Sequence, residues 1–125
     1  MVEYNENDSG DRNLRDNAAL SELFKAVSDT TRRALLTQIC QQGPSRVTDL
    51  ANDYEMSLNA ISKHIKVLEK AQLVTRTNIG RTHWIEADLG RVNKIENWFK
   101  ALKSIWELRL NKLDELIGTG DKEDD

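Results

Sequence analysis

The sequence predicts a mainly α protein with a small β-hairpin, arranged as a winged helix-turn-helix with a long C-terminal dimerisation helix. Three observations predict it. Two short helical periodicities, Val47–Tyr54 and Ser57–Ala71, are joined only by Glu55-Met56, the spacing of a helix-turn-helix. Two β-rich runs, Leu73–Thr77 and Thr82–Glu86, then flank Asn78-Ile79-Gly80-Arg81, a hairpin signal with glycine at the turn. An apolar stripe finally runs from Leu89 to Ile117, roughly 40 Å at 1.5 Å per residue and longer than so small a domain can cover.

Taken in order, residues 1–13 are rich in Asn, Asp and Glu and predict a disordered arm. A helix follows over 14–27, with Leu20, Phe24 and Val27 at i, i+4 and i+7. Ser28-Asp29-Thr30 offers an N-cap for a second helix, Thr31–Gln42, whose buried stripe reads Leu35, Leu36, Ile39 and Cys40. Gly43-Pro44 ends it. On the next helix Val47, Leu50, Ala51 and Tyr54 face inward, and Asp49 sits favourably in the first turn. Glu55 occupies the turn position where glycine is usual, so a left-handed residue is expected there. Asp88 caps the last helix, Gly118 closes it, and 119–125 form an acidic tail. The folded part therefore spans 14–118, with 14–27 and 89–117 as the elements that pair two copies.

A chain of 125 residues is one domain. Its apolar runs are too short to span a bilayer, no apolar signal region opens it, and its single cysteine, Cys40, fits a reducing compartment. A cytoplasmic protein is expected. The net charge of −3 argues at first against nucleic acid. Its distribution argues the other way. Between Ser57 and Arg81 five cations (Lys63, Lys66, Lys70, Arg76, Arg81) face one acid, Glu69. From Asp114 onward six acids face Lys122 alone. Local charge decides whether phosphates are attracted.

The helix opened by Ser57 has two faces. Leu58, Ile61, Ile65 and Leu68 form its apolar anchor, while Asn59, Ser62, Lys63, Lys66 and Lys70 lie opposite. Short polar side chains near a helix N-terminus let the backbone approach a duplex, and lysines meet phosphates. Asn59, Ala60, Ser62 and Lys63 are the expected groove-reading residues. Ser57 and Lys66 are expected at the DNA backbone, and Arg76, Asn78 and Arg81 of the wing at phosphates or the minor groove.

At this point the sequence resembles the ArsR/SmtB-type transcriptional repressors. Leu23-Phe24-Lys25-Ala26-Val27-Ser28-Asp29-Thr30-Thr31-Arg32-Arg33 is similar to their LFKALADPTRR opening, and Val47-Thr48-Asp49-Leu50-Ala51 to VTELA. Ser57 to Leu68 resembles S-x-S-A-V-S-x-H-L-K-V-L, Ala71-Gln72-Leu73-Val74 resembles AGLV, and Gly80-Arg81 falls at the usual wing tip. Trp98, Trp106 and Arg109-Leu110 resemble the final helix of one subgroup. The resemblance covers about Leu20 to Glu86 and implies a dimeric repressor that binds DNA. It also implies a place near DNA for His64, whereas the residues alone leave packing inside the helix-turn-helix equally open. Thr30 stands where the family has proline, and Gln72 where it has glycine.

Metal-sensing members carry a cysteine pair in the first helix of the helix-turn-helix or histidines in the last helix. Here 47–52 has no cysteine and 89–117 no histidine. One Cys and two His make no zinc-type ligand cluster, so neither metal nor cofactor is expected. Cys40 reads as a small buried hydrophobe and His83 as a structural residue of the wing strand. No phosphate-cradling glycine loop or nucleophile elbow is present, so no enzyme is expected. The prediction is a cytoplasmic, homodimeric, sequence-specific DNA-binding regulator, a repressor that reads a palindromic operator with 57–71 and the wing at 73–86. The alternatives are a winged-helix module that binds protein, and a repressor with a metal site of a non-standard kind.

Overall fold

The computed structural model describes the backbone of residues 6–124 and the side chains of 14–117. Its elements are α1 (Glu6–Val27), α2 (Thr30–Gln42), β1 (Ser45–Arg46), α3 (Val47–Asp53), α4 (Leu58–Lys70), β2 (Val74–Ile79), β3 (Thr82–Ala87) and α5 (Val92–Asp124). The chain divides into two compact units, one up to Asn93 and one from Lys94 onward.

In the first unit, α1 to α4 and the sheet close around Leu23, Leu35, Ile39, Leu50, Ile61, Ile65, Leu68, Leu73 and Ile85, each at most 1% exposed. The buried positions of α1 are Leu23 and Ala26; Leu20, Phe24 and Val27, the stripe expected from spacing, are half-buried. A short apolar pattern fits two neighbouring faces of a helix, and packing chose the other one. On α2 only Leu35 and Ile39 are buried. Cys40 is exposed, correcting the expectation of a buried thiol. Leu58 is corrected too: it is 50% exposed, so Ile61, Ile65 and Leu68 anchor α4 without it.

Both ends of α2 follow their local chemistry. Asp29 has extended backbone, and its carboxylate accepts the Arg32 N–H, which satisfies one orphan donor of the first turn. At the other end Gly43 sits at φ 83° and its N–H bonds the Ile39 carbonyl. Helices α3 and α4 end alike. Glu55 (φ 51°) and Gln72 (φ 61°) take the left-handed position. The Glu55 and Met56 N–H groups reach back to Asn52 and Ala51, and those of Gln72 and Leu73 to Glu69 and Leu68. Each end is a Schellman motif, where glycine is the usual occupant.

The sheet is antiparallel in the order β1-β3-β2. Strand β2 pairs with β3 from Val74↔Ala87 to Ile79↔Thr82. The turn is therefore Gly80-Arg81 alone, with Gly80 at φ 63°, the two-residue hairpin with glycine first. Strand β1, not foreseen, adds Ser45↔Ile85 and Arg46↔Trp84 along the outer edge of β3.

The ends of the chain differ from expectation. The stretch read as an arm is helical from Glu6, while residues 1–5 lie outside the described residues. Asp88 does not cap α5: its carboxylate accepts the Gly90 N–H in a turn that precedes the helix start at Val92. Gly118 does not close α5 either, since the helix continues to Asp124. One glycine costs a helix about 1 kcal/mol, too little to end it unless the chain turns there. The side chains beyond Ile117 are not described. In the second unit Trp98 and Phe99 meet edge to face at 4.9 Å. Phe99, Leu102, Ile105 and Trp106 are all exposed and, with Lys103, line a shallow apolar groove on α5.

Candidate nucleic-acid interface

Helix α4 is mounted by its buried stripe and started by Ser57, whose Oγ accepts the Ala60 N–H at 3.1 Å. Opposite that stripe Asn59, Lys63 and Lys66 are exposed, and Ala60 and Ser62 are half-buried. The expected groove-facing set is therefore one continuous surface of small polar and cationic groups.

The five cations of 57–81 divide by what they touch. Lys63, Lys66 and Arg81 have no ion pair among the described residues. Lys70 Nζ lies 3.4 Å from Glu22 Oε2 and ties α4 to α1. Arg76 makes a two-pronged contact with Glu69, Nε to Oε2 at 3.2 Å and Nη2 to Oε1 at 2.8 Å. These bonds hold the guanidinium charged above its ordinary value, against the opposing cost of partial burial. Arg76 thus braces the wing against α4.

His64 points away from the exposed face. Its Nδ1 lies 3.5 Å from Arg32 Nη1 and 3.9 Å from Asp29 Oδ2, at the start of α2. The Asp29 carboxyl is held below its ordinary value, chiefly by the Arg32 N–H that it accepts and also by the charge of Arg32. On the wing, Asn78 and His83 form a cross-strand hydrogen bond, so Arg81 alone of the expected wing residues extends unpaired among the described residues.

Between α4 and the wing lies a cavity of about 350 Å³. Leu58 and Ser62 of α4 form one wall, and Arg76, Arg81, Thr82 and His83 of the hairpin another. Arg46, Val47 and Thr48 close it from the β1–α3 corner. Arg46, Thr48 and Leu58 are additions that the sequence did not single out for this surface. The charge of Arg46 beside a short helix was visible, but only the unforeseen pairing of β1 with β3 brings it to the wing. Among the described residues no group of three or more His, Cys, Asp or Glu could hold a metal ion.

Residues 29–76 match the sequence profile of the bacterial regulatory proteins of the arsR family. The arsenical resistance operon repressor of Bacillus subtilis is 31% identical over 70 residues, 56% of this chain and 67% of that protein. An ArsR-like transcriptional regulator from Rhodococcus superposes with a TM-score of 0.71 at 28% identity, over 80% of this chain and 93% of that one. A homodimeric winged helix-turn-helix DNA-binding domain of a possible ArsR-family regulator from Mycobacterium bovis shares the fold, with a TM-score of 0.62 at 17% identity over 83% of this chain and 91% of that one. With α3, α4 and the hairpin arranged as described, the chain belongs to the arsR family of bacterial regulatory proteins.

Proposed function

We propose that the chain is a homodimeric, sequence-specific DNA-binding repressor of the cytoplasm, without catalytic activity, that reads a palindromic operator. The observation that carries this is α4: a buried apolar back behind an exposed front of Asn59, Ser62, Lys63 and Lys66. Asn59, Ala60, Ser62 and Lys63 read base edges, Lys66 and the capped N-terminus at Ser57 meet phosphates, and Arg81 holds a flanking phosphate or the minor groove. The M. bovis domain is homodimeric. Here the exposed apolar face of α5 is the surface that a second copy would cover. Two copies place half-sites about one helical turn, or a multiple of it, apart.

The test is selection of bound fragments from the source genome, followed by titration of the selected duplex at several salt concentrations. Affinity should fall steeply with salt. Lys66→Ala should lower the slope by about one and leave base preference intact. Combined substitution of Asn59, Ser62 and Lys63 should abolish preference. Indifference to DNA even in dilute buffer would overturn the reading in favour of a protein-binding winged helix.

A further inference from the structure

We propose that Arg46, at the β1–α3 corner, is a phosphate-holding residue of the DNA interface, and that the cavity beside it seats the DNA backbone where it leaves α4 for the wing. The proposal rests on the DNA-binding reading above.

The cavity wall carries three guanidinium groups, three hydroxyls and an imidazole, and no carboxylate. Nearby acids are turned to other work. Glu69 is occupied by Arg76. Asp49 takes one edge of Arg46, Nε at 2.9 Å and Nη2 at 3.3 Å. That leaves Nη1 of Arg46 without a hydrogen bond among the described residues. A guanidinium gripped along one edge and open along the other presents a fixed fork, which suits a phosphate better than a mobile ammonium does.

Two further features hold that fork in place. Arg46 is paired through β1 with Trp84 of β3, and its Cζ stands 6.0 Å from the Trp84 ring centroid, within reach of a cation–π attraction. Arg81, across the cavity, has no partner among the described residues and supplies a second cation. Leu58 explains itself here as well. Half-exposed at the start of α4, it gives the cavity an apolar wall suited to a deoxyribose or a thymine methyl and not to an isolated ion. Ser62 belongs both to this cavity and to the front of α4, so the two surfaces are continuous. A polyanion lying across α4 reaches Arg46 without leaving the protein.

The experiment compares wild type, Arg46→Ala, Arg46→Gln and Arg46→Lys on the selected duplex by fluorescence anisotropy between 50 and 300 mM salt (about the range over which such slopes are resolved). Thermal melts of each variant identify any that fails to fold, and Arg46→Gln preserves the stem if Arg46→Ala does not. The expected result is a salt slope lower by about one for Arg46→Ala and Arg46→Gln, with unchanged base preference and partial recovery in Arg46→Lys. A folded Arg46 variant with the wild-type slope and affinity overturns the proposal while leaving the DNA-binding reading intact. An altered base preference overturns it too, since a phosphate carries no sequence. A second arm adds pyrophosphate against chloride of equal ionic strength. Pyrophosphate that binds wild type but not Arg46→Gln, and leaves DNA affinity at the chloride-control value, would assign the site to a free phosphorylated ligand and overturn the DNA assignment. Release of DNA beyond that control, lost in Arg46→Gln, supports it, since the two anions then compete for one seat. If wild type ignores DNA altogether, both readings fall together.

Discussion

Nη1 of Arg32 lies 3.5 Å from Nδ1 of His64, so the start of α2 reaches the middle of α4. The same guanidinium donates from Nε to the Ala26 carbonyl at 2.9 Å and from Nη2 to the Lys25 carbonyl at 3.0 Å. Arg33 reaches the Val27 carbonyl at 2.7 Å. The paired arginines after Asp29 therefore close the C-terminus of α1, whose last carbonyls have no partner within the helix. Arg32→Ala should cost about 2 kcal/mol, the scale of hydrogen bonds to a charged donor, read as a lower denaturant midpoint with an unchanged m-value. Arg32→Lys should recover little, because one ammonium cannot span two carbonyls and a ring nitrogen.

Asp29 gives a pH dependence whose sign follows from its bonds. The Arg32 N–H holds its folded carboxyl below the ordinary value of 3.8. A depressed carboxyl stabilises the fold above its unfolded value, and that contribution is lost as pH falls through the lower, folded one. The gap in melting temperature between wild type and Asp29→Ala should be constant from neutrality down to about pH 5 and shrink below about pH 4. The gap between Asp29→Ser, which keeps a capping oxygen without the charge, and Asp29→Ala should not change with acid.

At φ 51° and 61°, Glu55 and Gln72 hold conformations that favour glycine. A left-handed residue with a side chain costs about 1–2 kcal/mol, and the extra chain entropy of glycine offsets part of that. Gln72→Gly should therefore raise stability by about 0.5 kcal/mol. Gln72→Val, β-branched at positive φ, should lower it by about 1 kcal/mol. Denaturant melts of the two variants, moving in opposite directions about wild type, check this.

The α5 groove gives an assembly prediction. Trp106 is 58% exposed and Leu102 48%. If a second copy covers them, Trp106→Glu should convert a dimer into a monomer in sedimentation at micromolar concentration. DNA affinity should fall by far more than one phosphate contact would explain. The helix content should hold, because the core of the first unit is untouched. A dimer that survived Trp106→Glu with its affinity intact would place the pairing surface elsewhere.

What the sequence showed, and what it hid, divides by range. Ser57 as a cap, the stripe Ile61–Ile65–Leu68, the left-handed Glu55 and the glycine of the hairpin are set by residues a few positions apart. These were legible. Strand β1 has two residues and no periodicity, and it exists only because β3 offers an edge. Leu58 has the spacing of a core residue, yet it falls where α4 faces the cavity and not the core. Position on an element makes Arg76 and His64 candidates for phosphate contact, but does not show what else they touch. Glu69 and Arg32, brought close by folding, are the partners the structure gives them. The identity of a cation is local, but what it is free to touch is tertiary.

The clamp between Glu69 and Arg76 has a mechanical consequence. Because α4 and β2 are fastened through two hydrogen bonds, hairpin and helix move as one piece, like the fixed jaws of a gauge. A duplex engaging both must match that gap or be distorted to it. Sites would then differ in strength through how readily their steps bend, including at base pairs that no side chain reaches.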